Sequence, residues 1–128
     1  YWGKNLVRNF NALDDCVLLY VCEKNKEAAD KCKQMYPSVQ VVSDYNVLLE
    51  DESLDGIVIA TPVDTHYSLA KKALENNKNV LVEKPLTDSL VKAKELNDLA
   101  EANKKVLMVD HTFLYTGAVR YLKEQLDN

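Results

Sequence analysis

Asn79-Val80-Leu81-Val82-Glu83-Lys84-Pro85-Leu86-Thr87 is the stretch from which the fold is read. A short apolar run of β-branched and leucine residues suits a buried strand, and it stops at an acid, a base and a proline before a new helical pattern begins. Charge therefore sits at a strand's C-terminal end. In an open parallel α/β sheet that is the end where ligands bind, because the strand-to-helix turns leave a crevice lined by helix N-termini. Pro85 lacks an N–H and disfavours the α conformation in Lys84, so the turn is stiff and the lysine stands outside regular structure. In isolation, Glu83 and Lys84 would pass equally well for solvated residues of an ordinary turn.

Outward from this stretch, helical and strand patterns alternate almost without interruption. Leu6, Val7, Phe10 and Leu13 fall at helical spacing over 3–13, and 17–22 is a continuous apolar run expected to be a strand buried on both faces. A helix is predicted over 25–35, a short strand over 39–42, a short helix over 45–50 and a second buried strand over 54–60. Asp64 is the expected N-cap of a helix reaching Asn76, with Leu69, Ala70, Ala73 and Leu74 on its apolar face. After the strand that closes at Lys84, a helix over 88–102 capped by Thr87 or Asp88 turns Leu90, Ala93, Leu96, Leu99 and Ala100 inward. A last strand over 106–109 and a last helix over 115–126 complete the pattern. Short connections and apolar strands imply a doubly wound parallel sheet with helices on both faces, joined by right-handed crossovers.

The chain has 128 residues, 47% hydrophobic and 28% charged, which suits one globular domain. A net charge of -4 with acids and bases intermixed offers no basic stripe for a phosphate backbone, so nucleic acid is not an expected partner. No apolar stretch approaches the roughly 20 residues of a membrane-spanning helix, and no signal-peptide pattern opens the chain. Cys16, Cys22 and Cys32 are an odd set without C-x-x-C spacing, read as small apolar residues in a reducing compartment; a soluble cytoplasmic protein is expected. Two histidines far apart give a metal centre little to build on.

A dinucleotide-binding fold opens with a strand running into G-x-G-x-x-G, whose third glycine lies in the first helical turn. Gly3, preceded by Tyr1-Trp2, fits that third position; the first strand and the first two glycines are absent. Glu23 ends the strand at Val21-Cys22-Glu23, about 20 residues further on, where an acid accepts hydrogen bonds from the adenosine ribose and opposes a 2′-phosphate. NAD is thereby favoured over NADP, although Lys24 and Lys26 leave room for a phosphate, and Glu23 in a solvated turn is the competing reading. At the next strand end, Ala60-Thr61-Pro62-Val63-Asp64-Thr65-His66 offers the Thr61 hydroxyl and free backbone groups in a turn stiffened by Pro62. His66 lies on the packed side of the following helix and is taken as a cofactor-side contact, not an acid or base.

Tyr1-Trp2-Gly3-Lys4-Asn5, the A-T-P-x-x-x-H of 60–66, Glu83-Lys84-Pro85-Leu86 and Asp110-His111-Thr112-Phe113 together resemble the N-terminal domain of the glucose-fructose oxidoreductase, inositol dehydrogenase and rhizopine-catabolism family. The resemblance covers essentially the whole chain, and within the family it is closest to enzymes acting on sugar nucleotides. It implies a partial NAD(P)-binding Rossmann domain over 1–128 of a nicotinamide-dependent oxidoreductase working on a hydroxyl of a sugar, cyclitol or nucleotide sugar, homo-oligomeric at full length. Carried over, Trp2 and Gly3 lie at the pyrophosphate, Glu23 at the adenosine ribose, and Thr61, Pro62 and His66 along the cofactor's inner edge. Glu83, Lys84 and Pro85 lie on the cofactor, Glu83 near the nicotinamide ribose, and Lys84 is also the active-site lysine. His111 and Phe113 fall at the last strand's exit, with His111 a possible outer contact.

The chemistry of Lys84 has its own logic. Hydride removal from an alcohol leaves an alkoxide-like oxygen and a proton, and a cation beside that oxygen lowers the barrier. A non-catalytic nucleotide-binding regulator of the same fold is the alternative. Two departures from the family pattern stand out. The expected first strand belongs between the strands carrying Glu23 and Thr61, so its absence leaves two inner edges unpaired and a chain expected to fold poorly alone, as a piece of a longer protein. Asn76-Asn77-Lys78-Asn79 replaces the glycine and histidine common before the strand.

Overall fold

The computed structural model describes residues 3–127. In chain order these form α1 (Gly3–Asn11), β1 (Tyr20–Cys22), α2 (Lys26–Met35), β2 (Gln40–Val42), α3 (Asn46–Glu50), β3 (Gly56–Ile59) and α4 (Val63–Glu75). β4 (Asn79–Glu83), α5 (Leu90–Ala102), β5 (Leu107–Asp110), a 3-10 turn (Thr112–Tyr115) and α6 (Gly117–Asp127) follow. The order of elements matches the sequence pattern throughout, and the fold is of Rossmann type.

The strands form two parallel sheets, β1 with β2 and β3-β4-β5 with β4 in the middle. Among the described residues, β1 and β3 each have one edge without a ladder partner, the place where the sequence puts a further central strand. A hydrogen-bonded knot joins the two sheets at their N-terminal ends. The Tyr20 hydroxyl at the start of β1 donates to Asp51 at 2.8 Å, ahead of β3, and the buried Lys78 ammonium ahead of β4 donates to the Asp51 carbonyl. Because every pairing is parallel and the starts of β1, β3 and β4 are tied together, their C-terminal ends all lie along one rim.

The core lies between the three-stranded sheet and the adjacent helices α4 and α5. Val80 and Val82 alternate inward along β4, as do Ile57 and Ile59 along β3, against Ala70, Ala73 and Leu74 of α4 and Leu96 and Ala100 of α5. The alanines let α4 approach the sheet closely, while each fully buried leucine contributes about 1.5–3 kcal/mol. Lys71 and Glu95, 2.6 Å apart and half-exposed, pair α4 with α5 at the surface. The other sheet face is more open, with Val58 and Met108 38% and 43% exposed.

Several sequence expectations change. The strand over 17–22 contracts to Tyr20–Cys22 and is half-buried, with Val17 79% exposed, because β1 is paired along one edge only. Asp64 is not the cap of α4: extended Pro62 occupies that position, and Asp64 lies in the first turn, where its charge favours the helix dipole. Neither Thr87 nor Asp88 caps α5. The Thr87 hydroxyl bonds locally to Ser89, accepting from its N–H at 3.1 Å and donating to its carbonyl at 2.7 Å, which postpones the helix to Leu90. Leu90, expected in the core, is 86% exposed in consequence. At Asn77 the backbone is left-handed, φ 59°, a conformation natural to glycine and tolerated by asparagine.

Candidate functional site

The rim is built from strand exits. Glu23 follows β1, Thr61 lies two residues beyond β3, Glu83 is the last residue of β4 with Lys84 immediately after it, and Asp110 ends β5 with His111 immediately after it. Gly3 belongs to the same rim, since a Cβ added there would sit 3.7 Å from the Ala60 Cβ beside Thr61. That is an ordinary contact, so protein packing by itself does not demand glycine at this position. Gly3, Glu23, Thr61 and Lys84, distant in sequence, thus share one edge. Trp2 lies outside the described residues.

Lys84 is exposed, and its ammonium has no hydrogen bond or ion pair among the described residues. It borders a cavity of about 430 Å³ also lined by Asp110, His111, Thr112 and Phe113. The Lys84 N–H donates to the Glu83 carboxylate at 3.1 Å, and the Lys84–Pro85 peptide bond is cis. Glu83 stands opposite Asp110 in the β4–β5 register.

Behind this turn sits His66, 1% exposed on the buried stripe of α4. Its Nδ1 is 2.9 Å from the Pro85 carbonyl oxygen and its Nε2 is 2.8 Å from the Thr61 carbonyl oxygen. Both ring nitrogens therefore face backbone. The Thr61 hydroxyl lies 2.6 Å from that of Thr65, which donates to the Pro62 carbonyl at 2.7 Å. With the Thr65 proton so placed, Thr61 is the donor of the pair, and its oxygen faces outward as an acceptor.

A second cavity, about 270 Å³, adjoins Glu23 and is lined by Lys24, Lys26, Lys33 and Ser43 among others. One Glu23 oxygen accepts from the Asn25 N–H at 2.8 Å, and the other has no partner among the described residues. Asp30 shares this lining with Glu23 and the three lysines, so the cavity is of mixed charge and its open acceptor suits a hydroxyl donor. Lys33 was not singled out from the sequence; its spacing of seven from Lys26 places both on one face of α2 and was the available signal. Leu114 and Val119, which line the larger cavity, carry no comparable signal.

With this geometry in place, the comparison with known proteins is direct. Residues 1–111 match the model of an oxidoreductase family with an NAD-binding Rossmann fold. The chain belongs to this family. Relatives in it include the uncharacterized oxidoreductase YdgJ of Escherichia coli, 49% identical over 81 residues, covering 63% of this chain and 23% of the relative. The scyllo-inositol 2-dehydrogenase (NAD(+)) of Bacillus subtilis is 29% identical over 127 residues, covering 99% of this chain and 36% of the enzyme. A solved 3-ketoreductase variant from Actinomadura kijaniata, in complex with TDP-benzene and NADP, superposes with TM-score 0.85 at 25% identity, covering 94% of this chain and 37% of that one. The chain thus spans about a quarter to just over a third of the length of these family members.

Proposed function

We propose that residues 1–128 are the cofactor-binding part of a dehydrogenase that moves a hydride between NAD and a hydroxyl or keto group of a sugar, cyclitol or nucleotide sugar. The observation that carries this reading is the Lys84 ammonium, unpaired among the described residues, on the cavity at the sheet's C-terminal rim. Cofactors bind at that rim in open parallel sheets. The inositol dehydrogenase and the nucleotide-bound ketoreductase support the substrate class.

When bound, the nicotinamide supplies the hydride acceptor. The chain's own residues bind and position it. Glu23 accepts from the adenosine ribose through its open oxygen and favours NAD by opposing a 2′-phosphate, with Gly3 at the pyrophosphate and Thr61 and Pro62 along the inner edge. Glu83 and Pro85 hold the turn at the nicotinamide ribose. Lys84 stabilises negative charge on the substrate oxygen, and its amine is placed to pass on the hydroxyl proton. With both ring nitrogens on backbone carbonyls, His66 contributes to the cofactor side through the turns it holds.

Lys84→Ala in the complete protein is expected to abolish sugar-dependent reduction of NAD while NAD binding, measured by titration, persists. Turnover that survives the substitution would end this reading. A non-catalytic sensor would bind NAD and remain indifferent to Lys84.

A further inference from the structure

The ladder between β3 and β4 ends at the pair Ile59 and Val82. Beyond it the two chains carry Thr61 and Lys84 to the rim, and His66 is the side chain that spans them. We propose that His66 is a positioning residue whose imidazole links the Thr61 and Pro85 carbonyls and thereby holds the Lys84 backbone over its cavity. This rests on the reading of Lys84 as the group beside the reacting oxygen.

The stripe of α4 at positions 66, 70, 73 and 74 is otherwise apolar and fully buried, so an aliphatic side chain would fill it as well. A polar ring there is explained by what its nitrogens meet. Carbonyl oxygens only accept and a neutral imidazole carries one N–H, so the ring donates to one of the two carbonyls and lies against the other, both in backbone that no strand pairing holds. Lys84 is consequently bracketed. On one side its N–H is bound to the Glu83 carboxylate, and on the other the next residue's carbonyl meets the His66 ring of α4. The Thr61 carbonyl meets the same ring, so one rigid side chain, donating to one carbonyl and packed against the other, stands between the cofactor edge and the lysine. Loss of the link lets the two turns move independently, and displacements near 1 Å cost as much as about 100-fold in rate.

The test compares His66→Leu, which removes the ring N–H and both ring nitrogens, with His66→Gln, which keeps an amide donor. In the complete protein, His66→Leu is expected to lower kcat about tenfold or more while the KM for NAD changes less than about threefold, with His66→Gln intermediate. Equal kcat in all three proteins, or kcat and NAD affinity falling together, overturns the proposal. A second readout needs neither substrate nor cofactor. The Lys84 amide resonance should shift, and its hydrogen exchange accelerate, in His66→Gln, while amides of β5 stay in place. An unmoved Lys84 amide overturns the proposal even if His66→Leu fails to fold. Should the parent protein neither bind nor reduce NAD, the functional reading falls, and the Lys84 amide still decides the role of His66.

Discussion

Glu23 shows how a single side chain is shared between structure and function. One of its oxygens closes the turn onto Asn25, whose own side chain caps α2 through the Ala28 N–H at 2.9 Å; the other oxygen is left for a ligand. Hydrogen bonds to a charged group are worth about 1.5–3 kcal/mol, so Glu23→Ala is expected to weaken NAD binding roughly ten- to hundredfold. NADP should lose less or gain, because Lys24, Lys26 and Lys33 remain around the vacated carboxylate. Fluorescence titration with both cofactors is the measurement, and unchanged NAD affinity would remove Glu23 from the ribose. The position of Glu23 was legible from strand periodicity; its division of labour was not, since it depends on the conformation of the turn.

Among the elements, the connections at the sheet's N-terminal end join strands that share no ladder. Asp51 sits at their centre. Hydrogen bonds from the Ser53 hydroxyl, the Tyr20 hydroxyl and the Ser53 N–H hold its carboxyl below the usual carboxylate range, with the Lys78 charge adding to them. A depressed folded value means the stabilisation is complete above the ordinary carboxylate pKa and is lost as pH falls through the folded value. Asp51→Asn should therefore be less stable than the parent in urea at pH 7, with the gap narrowing below about pH 4. A gap that stays constant across that range would sink the assignment. The sequence offers little sign of this knot, because Tyr20, Asp51 and Lys78 are brought together only by the sheet. The misplaced caps have a similar origin: Thr87 and Asp64 have suitable side chains, yet Ser89 and Pro62 occupy the capping positions in the folded chain.

At the scale of the molecule, the division into two sheets predicts uneven rigidity. β4 is paired along both edges and backed by α4, whereas β1 and β2 are three-residue strands with one shared ladder. Local opening follows such differences in packing and pairing. Hydrogen exchange should accordingly be slowest in 79–83 and at least about tenfold faster in 20–22 and 40–42. Equal protection of β1 and β4 would mean that the sheets act as one cooperative unit.

By itself the sequence determined the order of elements, the parallel arrangement and the strand ends on which Glu23, Thr61 and Lys84 stand. Apolar periodicity is a local property, and it identifies a buried strand or helix face wherever the neighbours lie. Only the tertiary structure decided that the Lys84 ammonium is unpaired among the described residues, that Thr61 presents an acceptor and that the His66 ring meets carbonyls 5 and 19 residues away. Those facts turn on which groups meet across the sheet. Hydrogen-bond partnership is set by distances of a few tenths of an ångström that residue spacing along a chain does not encode.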